Sequence, residues 1–269
     1  MVVRRSNSSR FSRFVPWIDV LAILAWGILL LKYRVTGELN ILIHPNYFAL
    51  TVLGGIALLI VGSIKAKDLL DRQGMFPGGG NNSARETFQS NEQHITLFAP
   101  GWSSGLLLFA AILGFIISPS VFASEKALQR SVNDFLPVTR VQPQAFTASV
   151  KPEERSLIDW VRTLAVYPEP DAYAGQKVKV QGFVIHLPEP ELPEQYLLVA
   201  RFIITCCAAD AYPVGLPVKL SQSRDAYPPD TWIEVEGQMM TETLADRRQL
   251  VILPSSIREI PKPKNPYEY

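Results

Sequence analysis

Cysteine is nearly absent from this chain. Its 269 residues include two, and they are neighbours, Cys206 and Cys207. Standard zinc motifs draw ligands from separated pairs, and no second CxxC exists here. A charge excess of one sign is also missing. Lys and Arg number 26 against 25 Asp and Glu, a net charge of +1. Nucleic-acid binding needs a basic surface, so no nucleic-acid partner is expected. No nucleophile–base pair, paired-carboxylate site or cofactor motif is visible, which argues against a conventional enzyme. Gly78-Gly79-Gly80 lacks the Lys-Ser/Thr and the strand–helix setting of a phosphate loop, and reads as a linker.

Long apolar runs are what the chain does have. Hydrophobic residues make up 48%, too few for a chain wholly within a membrane and right for one half within it. The runs cover residues 14–31, 47–64 and 102–122. A helix of ~20 residues crosses the ~30 Å hydrocarbon layer, so three spans are expected within residues 1–124. Arg4, Arg5, Arg10 and Arg13 precede the first run, and Lys65, Lys67, Arg72 and Arg85 follow the second. Only Lys32 and Arg34 lie between the first two. The positive-inside rule then places the N-terminus in the cytoplasm and the C-terminal domain outside an inner (plasma) membrane.

Asp19 is the one charge inside the runs. It either reaches the interface from the helix end or serves function, as acids within membranes often do. His44-Pro45 precedes the second run. Pro45 suits a first helical turn, and His44 reads as an interfacial polar residue or a surface contact for substrate or metal. His94 has no partner cluster nearby. Val121-Phe122-Ala123 resembles a signal-peptidase site.

Residues 125–150 read as a spacer, and 151–269 as a mainly-β extracytoplasmic domain. A short helix is expected over 152–164, with Pro152 in its first turn. Beyond it the period changes to two. Strands are expected over 176–184, 196–205, 216–220, 231–239, 249–253 and 257–260. Val178, Val180, Ile233 and Val235 should face inward. Gly182 and Gly237 occupy matching positions in two similar strands and would bend them. The pattern suggests a small OB-like barrel.

Cys206-Cys207 ends an apolar strand and precedes Ala-Ala-Asp210. Side chains alternate along a strand, so the pair acts together only where the strand ends or bulges. Three readings stay open. A vicinal disulfide would be strained and redox-labile, since adjacent Cα atoms lie closer than a usual bridge allows. A metal such as zinc would use Cys206, Cys207, Asp210 and His186. Otherwise the pair is packing. Arg201 is a structural charge partner or a contact for a ligand.

Several of these motifs occur together in one known family. They are Ile43-His44-Pro45, Gly182-Phe183-Val184, and Arg201-Phe202 through Cys206-Cys207-Ala208-Ala209-Asp210-Ala211. Val214-Gly215-Leu216, the stretch from Trp232 to Gly237, and Pro266-Tyr267-Glu268-Tyr269 complete the set. In these the chain resembles a bacterial permease-subunit family, the YcgQ-type membrane proteins of unknown function. The resemblance implies an accessory, non-pore role beside a larger multi-span permease in the lipid bilayer. It carries over no catalytic residues. The residues themselves leave a second expectation, a membrane-anchored protein for thiol redox chemistry or metal sensing.

Overall fold

The computed structural model describes residues 8–72, 102–129, 151–189 and 192–269. The glycine linker, His94 and residues 130–150 of the expected spacer lie outside the described residues. The chain forms two compact units. One comprises Met1–Leu39 with Pro45–Pro119, the other Asn40–His44 with Ser120–Tyr269.

The first unit is helical. Helix α1 (Ser8–Thr36) is followed by the short turn α2 (Leu39–Leu42), then α3 (Phe48–Arg72) and α4 (Trp102–Ile116). Two helical stretches, Phe14–Thr36 and Pro45–Asp71, are long and apolar enough to cross a membrane. Within the expected third span over 102–122, the described helix is the shorter apolar Trp102–Ile116. Its 15 residues rise only ~22 Å. The helix stops before Ser118-Pro119, because a residue preceding proline disfavours the helical region and proline has no N–H to donate. Small residues set the packing within the unit. A Cβ at Gly62 would lie 2.6 Å from a Leu24 methyl, so α1 and α3 approach closely there. Gly54, from the same small-residue face, looks into open space.

Among the described residues, the second unit carries a six-stranded sheet and two helices. The strands are β1 (Lys177–Ile185), β2 (Tyr196–Ile203), β3 (Tyr212–Lys219), β4 (Trp232–Leu244), β5 (Arg247–Glu259) and β6 (Tyr267–Glu268). The helices are α5 (Ser124–Gln129) and α6 (Leu157–Val166). The expected spacer at 125–150 therefore begins with helix. The strand order is β1-β4-β5-β3-β2-β6, and β1 also pairs with β2. Strands β3 and β5 run parallel, as do β2 and β6, and the other pairs are antiparallel.

Strand β1 changes partner midway. It pairs with β4 from Lys177 to Phe183 and with β2 from Phe183 to Ile185. Gly182 permits the change, because a Cβ there would sit 2.5 Å from the Ala200 carbonyl oxygen. The expected strands at 249–253 and 257–260 form one strand, β5. Ser255 of β5 bulges opposite the Glu236/Gly237 step of β4, so the strand continues past Pro254.

Two apolar layers hold the unit together. Val178, Val180, Ile233 and Val235 are buried as expected, with Val199, Val218 and Ile252, under Leu157 and Trp160 of α6. The other layer joins Phe183, Leu198, Phe202, Val251 and Tyr267. Strand β2 lies between the layers, so apart from Arg201 its residues 196–203 are apolar on both faces. Helix α6 begins later than expected. Pro152 opens a separate 3-10 turn, while Ser156 caps α6. The Ser156 hydroxyl accepts from the Asp159 N–H, and the Asp159 carboxylate accepts from the Ser156 N–H.

Candidate functional site

The cysteines lie where β2 gives way to a tight turn. Apolar burial carries β2 through Ile203 and Ile204 into the core. There the pairing with β3 ends, and Ala208–Asp210 forms a 3-10 turn that leads back into β3. Asp210 ties this turn together. Its carboxylate accepts from the N–H groups of Cys206 at 2.8 Å, Thr205 at 3.3 Å and Cys207 at 3.4 Å. It also accepts from the Thr205 hydroxyl. The turn draws both thiols to one side. Cys206 Sγ and Cys207 Sγ are 3.5 Å apart, and both cysteines are free. The two sulfurs and an Asp210 oxygen all lie within 4.8 Å of one another.

The electrostatics follow from this geometry. Partial burial alone would raise the Asp210 pKa, but hydrogen bonds from Thr205 and Cys206 outweigh it and hold the carboxyl at about 2. Asp210 is therefore an anion at neutral pH. Its hydrogen bond with the Cys206 thiol, followed by the Cys207 contact, pushes Cys206 up to about 11. Cys206 is exposed and Cys207 half-buried, so the thiols are reachable from solvent yet protonated at Cys206.

An isolated bridge borders the turn. Ile43 forms an antiparallel bridge with Cys207, and the His44 N–H donates to the Cys206 carbonyl at 3.0 Å. The His44 ring packs edge-on against Tyr269, with centroids 4.7 Å apart. Sequence reasoning singled out His44 but assigned it no place beside the cysteines. Thr205 was missed, because a lone threonine before the pair carries no signal of its own.

The remaining candidates lie elsewhere. His186 is outside the sulfur–carboxylate cluster, with Nε2 2.9 Å from the Tyr227 carbonyl oxygen. Arg201 has charge and carbonyl partners within the sheet domain. It pairs with Glu268 at 3.0 Å, donates to the Asn265 carbonyl at 2.9 Å, and lies over the Trp232 ring. In the helical unit, Asp19 lines a cavity of about 450 Å³ together with Trp26, Lys65 and Ser104.

Fold and site together define a sheet domain bearing a thiol–carboxylate turn, in a chain with two helices apolar enough to cross a membrane. Residues 147–269 match the family model of the DUF1980 C-terminal domain, an uncharacterised family. No curated protein and no solved structure matches the chain.

Proposed function

We propose that this chain is a membrane-tethered accessory protein that captures a thiophilic divalent cation, zinc being the example, at Cys206, Cys207 and Asp210. The observation that carries the reading is the spacing of the cluster. Two thiolates on one tetrahedral zinc, each at ~2.3 Å, lie about 3.8 Å apart. Cys206 Sγ and Cys207 Sγ are 3.5 Å apart. A disulfide needs ~2.05 Å. A Cys206 thiol held at about 11 also supplies little thiolate for exchange chemistry at neutral pH, so the redox reading is the weaker one. An ion overcomes the high pKa by displacing the protons, which pass to solvent.

The wider role is that of a non-pore subunit of a larger multi-span permease, with the cation as cargo or signal. Leu50, Leu53, Ile56, Ile60 and Ile64 of α3 are exposed apolar side chains, which suits lipid or a partner's helices. The proposed topology has a cytoplasmic N-terminus, membrane-crossing α1, α3 and α4, and an external C-terminal unit. The returning strand order, with β3 parallel to β5, is read as an OB-like barrel that presents the turn.

Zinc titration of the purified full chain, with thiol counting, tests the site. One zinc per chain, lost in the Cys206→Ser/Cys207→Ser double variant, is expected. A chain that binds no zinc refutes the reading. Co-purification with a multi-span permease is expected, as is a reporter after Tyr269 that is active only outside the cytoplasm. Recovery as a monomer under gentle extraction, with no permease defect on deletion, would refute the accessory role.

A further inference from the structure

The turn alone is short of ligands for a tetrahedral ion. It offers two sulfurs and one carboxylate. That carboxylate already accepts from three backbone N–H groups, from Thr205 Oγ1 and from the Cys206 thiol. An ionised carboxylate has about four lone-pair positions, so Asp210 can coordinate only by releasing a donor. The Cys206 thiol proton leaves when the ion binds, and the Thr205 hydroxyl can rotate away. A fourth ligand must come from outside residues 205–210, and a nitrogen would complete a common zinc set.

The backbone supplies the position. Ile43 is the antiparallel partner of Cys207, so the next pair in register is His44 with Cys206. The His44 N–H bond to the Cys206 carbonyl confirms that register. Directly opposed residues on an antiparallel pair project to the same face, with Cβ atoms ~4.5–5.5 Å apart. An imidazole nitrogen and a thiolate sharing one zinc sit ~3.6 Å apart, given bonds of ~2.1 and ~2.3 Å. That gap is within a side-chain rotation. The ring rests edge-on against Tyr269, outside the sulfur–carboxylate cluster.

We infer that His44, carried by the segment between the two long apolar helices, swings from Tyr269 to complete the metal site with Cys206, Cys207 and Asp210. The inference rests on the metal-binding reading above. Binding a divalent ion releases the two thiol protons to solvent, and neutral His44 donates a nitrogen lone pair. With one carboxylate and two thiolates the loaded site carries a net charge of −1. His44 lies four residues before Phe48, the first residue of α3, so the site would join the cysteine turn to a segment that continues into that helix.

The test uses the full chain in detergent, with zinc and cobalt(II) as probes. X-ray absorption of the zinc form should show two sulfurs and one imidazole. His44→Ala should lose the imidazole signal and weaken zinc binding at least 10- to 100-fold, the loss typical of residues that merely support a ligand. The sulfur-to-cobalt charge-transfer band should persist. His44→Cys should restore tight binding with a third sulfur, a rescue that a packing role would not produce. His186→Ala should change nothing. Wild-type affinity and spectrum in His44→Ala would overturn the inference while leaving the cysteine site standing. Absence of imidazole scattering in the wild-type zinc form would overturn it even if the alanine variant misfolds. A wild-type chain that binds neither ion would sink both readings.

Discussion

Replacing Asp210 with Asn tests the electrostatics of the cysteine turn directly. The substitution keeps an amide oxygen that can still accept from the backbone, but removes the negative charge. Asp210 is the largest cause of the high Cys206 pKa, which stands at about 11 against an ordinary 9.0. Full relaxation would raise the Cys206 thiolate fraction at pH 8 about a hundredfold. A less basic thiolate is also a weaker nucleophile. With a Brønsted coefficient of ~0.4–0.5, a fall of two pH units lowers its intrinsic rate about tenfold. The net gain in alkylation rate is therefore about tenfold. The assay is iodoacetamide modification from pH 7 to 11, comparing Cys207→Ser with Cys207→Ser/Asp210→Asn so that a single thiol reports. The rate–pH midpoint should move down toward 9. An unchanged midpoint, with the fold intact by circular dichroism, would refute the claim that Asp210 keeps Cys206 protonated.

Four further outcomes are expected. Gly182→Ala should destabilise the C-terminal unit by about 1–3 kcal/mol in thermal melts, since the added Cβ would meet the Ala200 carbonyl oxygen at 2.5 Å. Glu268→Ala should cost about 2–4 kcal/mol in chemical denaturation. Glu268 accepts from the Ile158 N–H at 2.9 Å and pairs with Arg201, whose remaining carbonyl acceptors hold the loss below that of a fully orphaned buried charge. Asp210 has a depressed folded-state pKa, so its contribution to the turn is complete above its ordinary value of 3.8 and is lost as pH falls through about 2. Amide protection at Thr205, Cys206 and Cys207 should therefore persist to about pH 4 and decline below it. Zinc affinity should respond earlier, falling with each unit of acidification because ion and protons compete for the thiols.

Local pattern made much of the second unit legible. Period-two alternation marked Val178, Val180, Ile233 and Val235 as inward, because neighbouring strand residues must face opposite ways. The same constraint implied that Cys206 and Cys207 could act together only at a strand end, and the turn closed by Asp210 is such an end. Capping was legible in principle: Ser156 and Asp159 have the spacing of a capping box, although Pro152 was the more conspicuous start signal. The length of the third apolar helix was less legible, since hydropathy continues past the point where backbone geometry before Pro119 ends it.

Other features required distant segments to meet. Nothing near His44 announces that Ile43 will bridge to Cys207, because that register depends on how the whole sheet closes. Strand β6 is two residues long and has no periodicity to detect, yet it supplies Glu268 to Arg201 and to the start of α6. The continuity of β5 past Pro254 depends on a bulge at its own Ser255, opposite the Glu236/Gly237 step of β4. Sequence by itself determined which residues are apolar, which positions alternate and where the thiols sit, since these follow from side-chain chemistry and local period. Tertiary structure alone decided which strands are neighbours and which side chains share the turn, since pairing is set by the most favourable closure of the complete chain.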